Sequence, residues 1–240
     1  MGHGRHHMKA NSRVKVIHNV ANGPVVDVVL DGNKALSNVE YKVQSDYLVV
    51  PSGKHSVNIS AGGKVLASAN VDLAPNEDYT VIAHGDVKDL SSLALLALKD
   101  NNACPARGKA HLRFVHAAAG APAVDIWAGN NRVFQNVSYG NTGSPTYLPV
   151  DAGTVDVSVT PAGSTDRVLG PISLTLGNGK IYTVTASGIV GDSESPLTAL
   201  VHEDRMCSVH QHHHHNHHHD HYYSSGNKKN SAMMGLWMNL

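Results

Sequence analysis

Two stretches decide the fold: "VKVIHNVANGPVVDVVLDGNKALSNVEY" (Val14–Tyr41) and "LRFVHAAAGAPAVDIWAGNNRVFQNVSY" (Leu112–Tyr139). Laid side by side, His18 falls on His116, Pro24 on Pro122, Asp27 on Asp125, Val39 on Val137 and Tyr41 on Tyr139, each pair 98 residues apart. The correspondence continues with small insertions through Tyr47 and Tyr147, Gly53 and Gly153, and Tyr79 and Tyr182. It ends with "SSLALLALKD" at Ser91 matching "SPLTALVHED" at Ser195. A period of this length, repeated once, describes two copies of one domain rather than a solenoid of short repeats.

Each copy reads as β. Short runs such as "VKVIHNV", "VVDVVLD", "DYLVVP", "HSVNIS" and "DYTVIAHG" alternate apolar and polar residues, as half-buried strands do. Turn residues separate them, among them Asn22-Gly23-Pro24, Asp31-Gly32, Pro51-Ser52-Gly53 and Gly62-Gly63. Asp31-Gly32 is a tight-hairpin signal, because both turn positions need a positive φ. "LSSLALLALKDNN" is helix-like in composition, but its partner carries Pro196 and is short, so both are expected to be the last strand of their copies. The expectation is two tandem, antiparallel β-sandwiches at 12–103 and 110–207, with a linker at 104–109. A flexible His-containing N-terminus (1–11), a disordered His-rich tail (208–231) and an apolar C-terminal peptide (232–240) complete the chain.

At this point the residues carry a resemblance. "AHLRFVHAAAGAPAVDIWAGN" (Ala110–Asn130), "NVSYG" at Asn136, "YLPVDAGTVDVSVTPAGS" at Tyr147 and "GKIYTVTASG" at Gly179 closely resemble the domain-of-unknown-function family 4397. The first copy is similar but looser. The resemblance implies an immunoglobulin-like sandwich, commonly in tandem, in cell-surface or exported proteins, with a surface layer or virus particle as the favoured setting. It implies no catalytic activity and no site residues.

Bulk properties exclude several classes. The chain has 19 basic and 19 acidic residues, so no electrostatic footprint for nucleic acid exists at neutral pH. No apolar run is long enough for a membrane span, and the N-terminal residues lack the apolar core of an ordinary secretory signal. No nucleophile elbow, phosphate-binding glycine loop or ordered ligand cluster is present, which argues against an enzyme.

His18 with Asp27, and His116 with Asp125, admit a dyad reading, but no nucleophile accompanies them. A structural role is favoured, with a buried imidazole tying a strand to a turn. Trp127 offers a face on which a sugar could stack, but packing in the sandwich is the preferred reading. Cys104 and Cys207 follow the last strands of their copies; a disulfide is possible, and free or intermolecular thiols are slightly favoured.

The tail holds nine histidines in twelve residues: His210, His212, His213, His214, His215, His217, His218, His219 and His221. Neutral imidazoles at this density bind zinc, copper or nickel, with selectivity following the general affinity order. No metal is required by the sequence, and no small-molecule ligand is indicated. His3, His6 and His7 add a second His-rich end. Beyond a polar spacer, Met233, Met234, Leu236, Trp237, Met238 and Leu240 form an apolar terminus suited to docking on a partner. The function expected first is a structural or adhesive protein that self-assembles or joins another structural protein through sheet edges and this peptide. The alternative is a metal-binding or metal-buffering protein acting through the tail.

Overall fold

The computed structural model describes residues 10–101, 103–144 and 147–204, and these contain sixteen strands and no helix. In the first copy, β1 (Asn11–Ala21), β4 (Leu48–Pro51), β7 (Asp78–Asp86) and β8 (Asp89–Asp100) form a sheet in the order β4-β1-β7-β8. Its second sheet takes β2 (Val26–Leu30), β3 (Asn33–Val39), β5 (Gly53–Ala61) and β6 (Lys64–Leu73) in the order β3-β2-β5-β6.

The second copy repeats this plan. Strands β9 (Lys109–His116), β12 (Leu148–Asp151), β15 (Ile181–Ser187) and β16 (Thr198–Glu203) run β12-β9-β15-β16. Strands β10 (Val124–Ala128), β11 (Asn131–Val137), β13 (Gly153–Pro161) and β14 (Leu169–Leu176) run β11-β10-β13-β14. The protein is therefore all-β, with two tandem immunoglobulin-like sandwiches. "LSSLALLALKD" is strand, in β8, despite its helix-like composition.

Local chemistry sets the elements. Asp31 and Gly32 have φ of 49° and 80°, the two left-handed conformations that a tight hairpin between β2 and β3 requires. Alternation then sorts the side chains. Val14, Val16 and Val20 of β1 join Val28, Val57, Ile59, Val81 and Ala83 in the first core. Leu112, Phe114, Ile126, Phe134, Val157 and Val184 anchor the second.

Two features depart from a simple antiparallel sandwich. In each copy the first strand pairs in parallel with the seventh, β1 with β7 and β9 with β15; the other strand pairs are antiparallel. Strands β1 and β7, moreover, are buried along both faces. Val14 and Val16 face their own core, while Lys15, Ile17 and Asn19 on the opposite face are covered just as completely. What covers them is the other copy, because Ile17 and Ile82 share a small cluster with Val115 of β9. The sheets β4-β1-β7-β8 and β12-β9-β15-β16 thus meet along a seam between the two sandwiches.

Candidate functional site

The histidines and aspartates picked out by the repeat do not pair with each other. Nε2–H of His18 donates to the Pro24 carbonyl at 2.9 Å, and His116 makes the same bond to Pro122 at 2.9 Å. Each imidazole therefore joins the end of a first strand to the turn that follows. In the first copy this turn closes tightly over Gly23, where a Cβ would lie 2.6 Å from the Val20 oxygen and 2.8 Å from the His18 ring; the second copy carries Ala121 at the same position. Burial pushes both imidazoles below their ordinary pKa, against the opposing pull of the proline carbonyls, and favours the neutral ring.

The aspartates tie other elements. Asp27 accepts from the Asn38 amide at 3.2 Å and pairs with Lys34 at 2.6 Å. Asp125 is held more tightly, accepting from the amides of Asn136 at 2.7 Å and Gly163 at 3.0 Å and from Arg132 at 3.1 Å. No side chain in these clusters is placed as a nucleophile beside a histidine.

The densest polar chemistry lies in the seam, at residues that the repeat alignment contains but that alternation alone assigns to solvent. Lys15 pairs with Asp204, and neither side chain is exposed. The equivalent pair with the copies exchanged is Arg113 with Asp100, at 2.8 Å. Each carboxylate also accepts from a tyrosine and a threonine of its own copy. Asp100 takes Tyr47 and Thr80, and Asp204 takes Tyr147 and Thr183. Burial, reinforced by the Asp100 charge, raises the Tyr47 pKa.

The exchange extends to the rim of the seam. Tyr41 meets Ser187 at 3.0 Å, and its counterpart Tyr139 meets His84 at 2.9 Å. The seam is therefore a pseudo-two-fold interface, in which the same surface of each copy serves both sides. The available sequence signal was charge of one sign held at Lys15 and Arg113, and at Asp100 and Asp204, through a duplication in which most exposed positions diverged.

The model of the family described as Domain of unknown function (DUF4397) matches residues 12–127 and 110–213. The chain belongs to the DUF4397 family. The two matched regions fit a tandem pair and overlap over residues 110–127, the opening strand, the turn and most of β10 in the second copy. No curated protein matches the chain.

Several expected sites of this DUF4397 chain can be placed. Trp127 is partly covered: its Nε1–H donates to Thr160 at 3.0 Å and Arg132 lies over its ring. Cys104 is disulfide-bonded, which corrects the leaning toward free thiols. The chain's other cysteine, Cys207, lies outside the described residues. So do the N-terminal histidines, all nine tail histidines and the apolar peptide from Met233 to Leu240. Among the described residues no cluster of three or more His, Cys, Asp or Glu is placed to hold a metal. No helix among them is long and apolar enough to cross a membrane.

The sheet edges differ sharply in how they are protected. Strands β4 and β12 are four residues long and contain Pro51 and Pro149. Strand β14 carries Pro171, and β16 is six residues ending in His202 and Glu203. Strand β8 is the longest edge, with twelve residues and no proline; β6, with ten residues and no proline, comes next, and β3 and β11 have seven residues each and no proline. The charges of β8 are confined to Asp89, Lys99 and Asp100, leaving "LSSLALLAL" uncharged between them. Tyr139 and Arg113 hold the carbonyls of Ser92 and Lys99.

Proposed function

We propose that this chain is a non-enzymatic structural or adhesive protein, a building block of a surface or particle layer. It assembles by strand addition at a sheet edge, assisted by its C-terminal apolar peptide. The observation that carries this reading is β8. A long edge strand without proline or central charge is a ready template for another chain's backbone, and proteins that stay monomeric blunt such edges. The seam supports the same reading, because its ion pairs and tyrosines join the sandwiches into one body on which a load or a lattice contact can act.

The test is light scattering coupled to size exclusion on the full chain. The expected result is a species much larger than one chain. It should shrink in the Ala94→Lys/Ala97→Lys variant, which places lysines at exposed positions of β8. It should shrink also on deletion after Ser231. A full-length chain that runs as a monomer at all concentrations would sink the proposal.

A second reading rests on the nine histidines between His210 and His221. In it the tail captures zinc, copper or nickel, and the sandwiches carry the tail. Protons compete with metal for imidazole, so calorimetric zinc affinity at pH 7 should fall at least tenfold by pH 5.5. Serine at all nine positions should abolish it; unchanged affinity in that variant removes the tail from the account.

A further inference from the structure

The second sandwich holds a cavity of about 360 Å³ between its two sheets. Phe114, Ile126, Phe134, Val157, Leu174 and Val184 form its apolar wall. Asn131, Asp151 and Thr154 bring polar atoms to it at the end where the β10–β11 and β12–β13 turns lie. The volume falls within the roughly 300–1,000 Å³ typical of small-molecule sites.

The first sandwich shows what this end looks like when it is fastened. There His55 of β5 lies with its ring nitrogens 2.6 Å from Asp31 Oδ2 and 2.7 Å from the Pro51 oxygen. The imidazole bridges the β2–β3 turn to β4. In the second copy the three corresponding positions are Val155, Gly129 and Asp151. The backbones are equivalent, since Asp31 N–H donates to Ser56 O as Gly129 N–H donates to Asp156 O. The two copies therefore share the frame of this end, and only the first carries the fastening; the second is the copy with the aromatic-walled cavity.

We propose that the second sandwich binds a small neutral hydrophobe, an alkyl chain bearing a hydroxyl head, in the cavity that the missing His55-type bridge leaves accessible. The wall chemistry selects the chain, because it offers carbon along the depth of the cavity. The mouth selects a neutral head: the Asp151 carboxylate is already paired with Lys109 at 2.6 Å, so there is no unbalanced charge to favour an ionic ligand. Asn131 and Thr154 supply an amide and a hydroxyl for a hydroxyl to bond.

The experiment uses the full chain, with 1-aminoanthracene as fluorescent probe and 1-dodecanol as displacing ligand. One saturable probe site per chain is expected, emptied by 1-dodecanol. The Gly129→Asp/Val155→His variant transfers the fastening from the first copy; Gly129 has φ of 57° and Asp31 of 49°, so the backbone accepts the change. It should weaken 1-dodecanol at least tenfold. The Val133→Trp variant, which fills the cavity, should do the same. Circular dichroism verifies that each variant folds.

Methyl-resolved NMR of the unaltered chain locates the ligand without any variant. Shifts on adding 1-dodecanol must concentrate at Val133, Val157, Leu174 and Val184. Absence of saturable binding overturns the proposal. So do shifts centred on Ala118, Val190 and Leu197, which line a separate apolar cavity, and so does undiminished affinity in a folded variant.

Discussion

Lys15 and Asp204 place an ion pair where neither side chain reaches solvent, in a strand flanked by valines. A buried pair gains from mutual attraction what it loses in desolvation, so its net worth is small; removing one member leaves a stranded charge, at a cost of about 3–5 kcal/mol. Lys15→Met is therefore expected to lower stability in urea by about that amount. Adding Asp204→Asn should recover much of the loss, since the amide oxygen still accepts from Tyr147 and Thr183 and no charge remains. Equal losses in the single and double variants would show that the charge is not what matters. This pair was not legible in "VKVIHNV", where alternation assigns Lys15 to water. Alternation reports that a strand has two faces, and it is silent on a second covering layer of polar character. The His18 and His116 positions were readable because they recur with the turn proline six residues on, a purely local geometry.

Among the elements, Asp125 joins β10 to the end of β11 and to the turn after β13, whereas Asp27 reaches only Asn38 and the exposed Lys34. Asp125 is 2% exposed, so Asp125→Ala orphans the Asn136 and Gly163 amide donors at a buried position. It is expected to cost about 2–4 kcal/mol by thermal or urea unfolding. Asp27→Ala should cost distinctly less, and a reversal of that order would contradict the geometry. Burial works to raise the Asp125 pKa, but the Asn136 and Gly163 amides and Arg132 outweigh it and hold it below the ordinary value. The contribution of this carboxylate is thus present above the unfolded-state pKa and lost as pH falls through the folded one. Strand positions and the Asp31-Gly32 hairpin were legible because periodicity and turn residues are local. The parallel pairing of β1 with β7 was not, because an apolar-polar alternation reads the same in either direction and the pairing joins residues far apart in sequence. The exposure of β8 is equally non-local. Its sequence allowed a strand, but only sheet order makes that strand an edge.

For the molecule as a whole, the two sandwiches depend on a seam that contains titratable groups from both. His84 of β7 faces Tyr139 and lies near His116; burial, then electrostatic opposition from the His116 imidazole, pushes its pKa down to about 4. His202 of β16 sits close to Lys15 and Asp204; burial, then the Lys15 charge, pushes its pKa down to about 4. Both are neutral in the folded protein at pH 6, whereas an unfolded imidazole with a pKa near 6.5 is largely protonated there. Between about pH 6.5 and 4 the unfolded chain therefore binds more protons, and stability rises with pH across that window. Read downward, each histidine withdraws up to about 3 kcal/mol by pH 4. The melting temperature should fall steadily on acidification from pH 6.5, well before carboxylates protonate. Replacing His84 by Gln, which can still donate to the Tyr139 oxygen, removes one of the protons taken up on unfolding. The slope of stability against pH between 6 and 4.5 should become shallower by close to one proton, and replacing the tail histidines from His210 to His221 should leave that slope unchanged. The same slope in His84→Gln as in the unaltered chain would remove His84 from the acid sensitivity.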